Sequence, residues 1–136
     1  MKACFGDTSY FLALLIPADA NHVAARQWAQ SNRRPIVTTE YVLLEVANFL
    51  SAGSTRRLFG GFLWALRCDR RITLISTSAQ LTQRGIDLYL ARPDKSWSLT
   101  DCISFVIMNE QELTDALTAD RHFEQAGFTP LLNTNA

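Results

Sequence analysis

Four of the thirteen acidic residues in this 136-residue chain stand where a carboxylate could do more than sit in water. Asp7 follows the short run Lys2–Gly6. Glu45 interrupts the apolar run Tyr41-Val42-Leu43-Leu44-Glu45-Val46-Ala47. Asp101 follows Ser98-Leu99-Thr100, and Asp120 follows Asp115–Ala119. Four ionised acids drawn together repel, and some must take up a proton unless a cation sits among them. Hard oxygen ligands without a His or Cys cluster select Mg²⁺ or Mn²⁺ over zinc. Such an ion keeps waters, binds phosphate oxygens and activates water for in-line attack on a phosphodiester.

Each acid also has an ordinary role to weigh. Asp7 and Asp120 fit helix N-caps. Asp101 fits a capping box with Ser98, although Glu or Gln is the usual partner there. Glu45 lies too far into its helix to cap, so its ordinary role needs a distant cation such as Arg56 or Arg57. The two histidines, His22 and His122, read as polar surface residues outside the site.

The elements that must carry these acids follow from periodicity. Strand candidates are Lys2–Gly6, Ile36–Thr38, Ile72–Ile75, Asp115–Ala119 and Phe128–Leu132. Helix candidates are Tyr10–Ile16, a second from a cap at Asp19 or Asn21 to about Gln30, Thr38–Leu50, Thr55–Cys68, Ser76–Ala91, Ser98–Met108 and Arg121–Ala126. In the third helix, Leu43, Val46, Ala47 and Leu50 make one apolar face. Strands alternating with helices imply a parallel sheet covered on both faces, with right-handed crossovers. In an open parallel sheet, strand C-termini and helix N-termini share one edge, where ligands bind at a switch in strand order. Four acids distributed over four elements could therefore converge on one spot there.

Composition narrows the class. Apolar residues make up 48 %, enough for one domain with a real core. No apolar run approaches the roughly 20 residues that span a bilayer, and the first residues do not read as a signal peptide. Three widely spaced cysteines fit reduced thiols, and the expectation is a cytoplasmic protein without a membrane role. Net charge is zero, yet eleven of the thirteen basic residues are arginine, the better fork for phosphate oxygens.

Four motifs in order carry a resemblance. Asp7-Thr8-Ser9-Tyr10, Leu44-Glu45-Val46-Ala47-Asn48, Ser98-Leu99-Thr100-Asp101-Cys102 and Thr118-Ala119-Asp120-Arg121-His122-Phe123 are similar to those of PIN domains of the VapC toxin type. The likeness covers nearly the whole chain, read as one PIN domain over residues 1–136. It implies a three-layer α/β/α sandwich around a parallel sheet of about five strands. It implies an endoribonuclease dependent on Mg²⁺ or Mn²⁺, a homodimer, and a small antitoxin that blocks the active site. Asp7, Glu45, Asp101 and Asp120 would form the acidic site, and Thr8 and Ser98 would support it. Two departures stand out. Gly6 precedes Asp7 where a bulkier apolar residue is common, which would loosen the strand end. Arg121 sets a cation beside Asp120.

Arg92, Lys95 and Arg121 are candidates to hold substrate phosphates. Trp97 either stacks on an unpaired base or anchors its loop to the core. The alternatives within the resemblance are a non-toxin nuclease of RNA processing and a degenerate PIN-like module that binds without cutting. Outside it, an aspartyl-phosphate phosphotransferase would also place Asp7 after the first strand. That chemistry wants a second acid two residues on, where Ser9 stands.

Overall fold

Cys4, Phe5 and Gly6 are all buried because their strand, β1 (Cys4–Gly6), is covered on both faces and flanked on both edges. The computed structural model describes residues 1–132. β1 pairs in parallel with β2 (Ile36–Thr39) on one side and with β4 (Asp115–Leu117) on the other. β3 (Ile72–Ile75) extends the sheet beyond β2, and β5 (Thr129–Pro130) beyond β4. The order is β3-β2-β1-β4-β5. The chain moves outward from β1 to β3 and then returns to the other side of β1. Right-handed connections therefore send helices to both faces, which gives the expected α/β/α sandwich.

Among the described residues seven helices fill the connections: α1 (Thr8–Leu15), α2 (His22–Ser31), α3 (Glu40–Leu50), α4 (Leu58–Cys68), α5 (Ala79–Ala91), α6 (Leu99–Glu110) and α7 (Arg121–Gln125). α3 opens at Thr39, whose hydroxyl accepts the Val42 N–H at 3.2 Å. Its apolar face is real: Val42, Leu43, Val46 and Leu50 are buried. Gly53–Thr55 forms a separate 3₁₀ turn, so α4 begins later than its apolar pattern suggests. α5 begins after Ser78, whose hydroxyl accepts the Leu81 N–H. β5 is shorter than Phe128–Leu132; Pro130 lies in it and has no N–H for a ladder.

Two packing features position the site. Phe105 of α6 lies edge-on to Trp97 and Phe123, with centroids 5.0 and 4.9 Å away, and tilts against Phe128 at 5.6 Å. Phe123 in turn stacks on Phe5 of β1 at 6.3 Å. This cluster ties α6, α7 and β1 together below their acids. Gly85 of α5 is buried against α6, and a Cβ there would meet Ile103 Cγ1 at 2.3 Å.

Gly6 has a packing reason as well. A Cβ at this position would lie 2.9 Å from Phe11 Cζ and 3.1 Å from Ile36 Cγ2. The strand end is not loose. Gly6 O accepts the Thr38 hydroxyl at 2.8 Å, and Asp7 N–H donates to Leu117 O at 3.2 Å.

Candidate active site

Asp7 leaves β1 at the point where strand order switches, between β2 and β4, which is where open parallel sheets bind ligands. It occupies the N-cap position of α1, yet its side chain makes no capping bond. Its carboxylate turns instead to the end of β4. Oδ2 accepts the Thr118 hydroxyl at 2.8 Å and the Ser9 hydroxyl at 2.9 Å. The residue is 4 % exposed. Burial, with the nearby Asp101 charge adding to it, pushes its carboxyl up to about 7 against the hydroxyl bonds that favour the anion. Asp7 therefore costs more to ionise than a capping aspartate would.

Asp101 does cap. Ser98 Oγ accepts the Asp101 N–H at 3.0 Å, and Asp101 Oδ2 accepts the Ser98 N–H at 3.1 Å, a complete capping box. The same oxygen lies 3.0 Å from His122 Nδ1. Burial raises the Asp101 pKa, opposed by the bonds from Ser98 and His122, and Asp120 raises it further. Asp120 is the N-cap of α7: its Oδ1 accepts the His122 N–H at 2.9 Å, and its Oδ2 lies 3.4 Å from His122 Nδ1. Asp101, Asp120 and His122 each bring a ligand-capable atom within 4.8 Å of the others. In Asp101 the capping oxygen, Oδ2, is also the one that faces His122, whereas in Asp120 Oδ1 caps and Oδ2 faces His122.

Two members of this arrangement escape a reading by residue type. Thr118 is fully buried and links two acids, donating to Asp7 while its Oγ accepts the Asp120 N–H at 2.9 Å. It sits in the run Asp115–Ala119, where a β-branched residue looks like one more strand position. His122 is not a free surface residue: its ring bonds a carboxylate and its side chain is 23 % exposed. The pattern Asp120-Arg121-His122 did hold a signal, because an N-cap side chain reaches the N–H two residues on. His22 does stand apart, with Nδ1 2.6 Å from Ala13 O.

Glu45 is not drawn into this group. It is half-buried on α3, and among the described residues it forms no ion pair with Arg56 or Arg57. Arg56 instead donates to Ser51 O at 3.0 Å. Thr8 is buried beside Asp7, and its Oγ1 has no hydrogen-bond partner among the described residues. Arg92 is held by Asp94 through two 2.9 Å bonds, and its guanidinium lies 5.0 Å from the centre of the Trp97 ring. Lys95 Nζ lies 5.9 Å from the same ring, and Arg121 is exposed. Trp97 itself is buried and donates from Nε1 to Gln125 Oε1 at 3.1 Å, so it anchors its loop and presents no free face to a base.

The donor set fits a hard divalent cation. Buried carboxylates that resist ionisation need a positive charge nearby. Among the described residues no side chain bonds Asp7 Oδ1, and Asp101 Oδ1 accepts no hydrogen bond. The orphaned Thr8 hydroxyl lies next to Asp7 along the chain. All but one of the available atoms are oxygens.

The PIN domain family model matches residues 4–129. The chain belongs to the PIN domain family. Among characterised proteins it is 26 % identical over 124 residues to the 23S rRNA-specific endonuclease VapC20 from two strains of Mycobacterium tuberculosis. That alignment covers 91 % of this chain and 94 % of the relative. The crystal structure of M. tuberculosis VapC20, described as a sarcin-ricin loop cleaving toxin, superposes with a TM-score of 0.84 at 25 % identity. It covers 93 % of this chain and 96 % of that one. The resemblance to VapC-type PIN domains carried by the four acid-bearing motifs is borne out, as is the sandwich fold. Among the described residues no helix is long and apolar enough to cross a membrane.

Proposed function

We propose that this chain is an endoribonuclease of the VapC toxin type that hydrolyses RNA phosphodiester bonds with Mg²⁺ or Mn²⁺. The observation that carries the reading is the meeting of Asp101, Asp120 and His122, with Thr118 tying Asp120 to the buried Asp7 at the strand-order switch. Family membership and the likeness to VapC20 support the same chemistry.

Asp7, Asp101 and Asp120 would hold the ion, with Glu45 reaching it through water from α3. The ion would supply charge stabilisation at the phosphate and a more acidic bound water. The chain's own part is to fix three carboxylates on the ends of β1, α6 and α7, and to keep the site dry on the β1 side. Arg92, Lys95 and Arg121 are placed on solvent-facing loops and a helix start, where they would take flanking phosphates. Arg92 would do so while its other edge stays paired with Asp94.

Partners belong to the same proposal. Leu44 and Phe49 on α3 and Trp64 on α4 are exposed large apolar residues, as are Tyr89 and Leu90 on α5. Two such groups on different helices support one surface for an antitoxin and another for a second copy of the chain. The whole chain then acts as one PIN domain in the cytoplasm.

The test is cleavage of RNA, with 23S rRNA as the first substrate, in Mg²⁺, in Mn²⁺ and in chelator. Asp7→Asn and Asp101→Asn should abolish cleavage while the variants stay folded. Unchanged cleavage by a clean preparation of either variant would sink the assignment. Failure of calorimetry to detect Mg²⁺ or Mn²⁺ binding would favour a degenerate module that binds a partner and cuts nothing.

A further inference from the structure

His122 touches both acids at the ends of α6 and α7, and the reaction outlined above leaves it without a task. Its Nδ1 lies 3.0 Å from Asp101 Oδ2, and its backbone N–H donates to Asp120 Oδ1 at 2.9 Å. The neighbouring Phe123 is fully buried between Phe5 and Phe105, so the backbone at 122 cannot drift. Asp101 Oδ2 is thereby held twice, by the Ser98 N–H from one side and by the imidazole from the other.

We propose that His122 is a positioning residue: its Nδ1–H locks Asp101 Oδ2 so that Asp101 Oδ1 is the oxygen offered to the divalent cation. This rests on the metal-dependent reading of the site. The bond asks only that Nδ1 carry a proton, which holds for one neutral tautomer and for the imidazolium, so no change of ionisation is needed. Without the ring, the Asp101 carboxylate keeps a single tether at Ser98 and can turn about its last torsion. Losing a side chain that orients a ligand carboxylate or imidazole in this way weakens metal binding by about 10- to 100-fold.

The decisive measurement is Mn²⁺ binding to metal-stripped protein, followed by electron paramagnetic resonance, for the parent, His122→Ala and His122→Asn. The asparagine amide nitrogen falls where Nδ1 stands and can donate the same bond. His122→Ala should weaken Mn²⁺ binding by about 10- to 100-fold. His122→Asn should bind close to the parent, and pulsed spectra of the parent should show no nitrogen coupling to the ion. Parent-like binding by His122→Ala overturns the proposal, as does failure of the asparagine to restore binding in a folded protein. Strong nitrogen coupling in the parent overturns it in another direction, making His122 a ligand. Absence of Mn²⁺ binding by the parent, before any substitution, removes the metal reading and this inference with it. Melting temperatures of both variants separate these outcomes from a loss of fold.

Discussion

Thr118 donates its hydroxyl proton to Asp7 Oδ2 at 2.8 Å, and the two residues stand 111 positions apart in the chain. Thr118 Oγ1 itself accepts the Asp120 N–H, so one buried hydroxyl sets the spacing of two acids.

Thr118→Val keeps the shape and removes both bonds. It leaves the Asp120 N–H without its acceptor and should cost about 1–3 kcal/mol. Cleavage should fall as Asp7 and Asp120 lose their common tether. Thr118→Ser should retain most of both properties. Urea unfolding beside an RNA cleavage assay reads the two effects. A valine variant with parent stability would show that water satisfies these groups.

Asp7 makes the metal-free protein sensitive to pH. Its folded pKa of about 7 lies above the ordinary 3.8, so the folded state holds a proton that the unfolded state releases. Stability from this group is full below the unfolded value and is lost as pH rises through the folded one. A shift of this size corresponds to about 4 kcal/mol across that window. In chelator, the parent should melt lower at pH 8 than at pH 5 by more than Asp7→Asn does. At pH 8 the asparagine variant should be the more stable of the two. Parallel melting profiles would show that another group sets the slope.

Glu45→Gln separates a functional acid from a structural one. Glu45 is half-buried and unpaired with any described cation, so neutralising it should change stability by no more than about 0.5 kcal/mol. Loss of cleavage with stability intact is the expected result. A large loss of stability would mean that a buried ion pair had been broken.

Gly85→Ala drives a methyl into Ile103, whose Cγ1 would be only 2.3 Å away. Overpacking of this kind costs about 1–3 kcal/mol. Ile103→Ala should relieve the clash, so the double variant should be less destabilised than the sum of the two single changes. Strict additivity in denaturant titrations would show that α5 and α6 can slide apart.

The acids and the order of the elements were legible because they rest on local rules. Strand-end aspartates, an apolar helix face with one acid in it, and Ser98 three residues before Asp101 are all patterns within a few positions. What escaped depends on contacts across the chain. Thr118 bonds Asp7, and His122 bonds a carboxylate 21 residues earlier on another helix. Thr118 is not marked by its neighbours, and the Asp120-Arg121-His122 pattern marks the His122 backbone N–H but not its ring. Gly6 looked like a weakness because sequence does not reveal that the ring of Phe11 fills the space a Cβ would need. Asp7 was the reverse case: local rules made it a cap, and tertiary bonds from Ser9 and Thr118 pulled it away.

Strand order also governs timing. β1 is made first but stands in the middle, and its second neighbour, β4, comes more than a hundred residues later. A growing chain that has completed β1, β2 and β3 already holds Asp7, yet one side of β1 is still bare and Asp120 does not exist. The site closes only when β4 and α7 dock onto β1, a late event governed by contacts distant in sequence. If Asp7, Asp101 and Asp120 make the site as proposed, a nuclease built in this order would stay harmless to the RNA around it through most of its own synthesis. Fragments cut short before α7 should be inert for want of a site, however well their helices form.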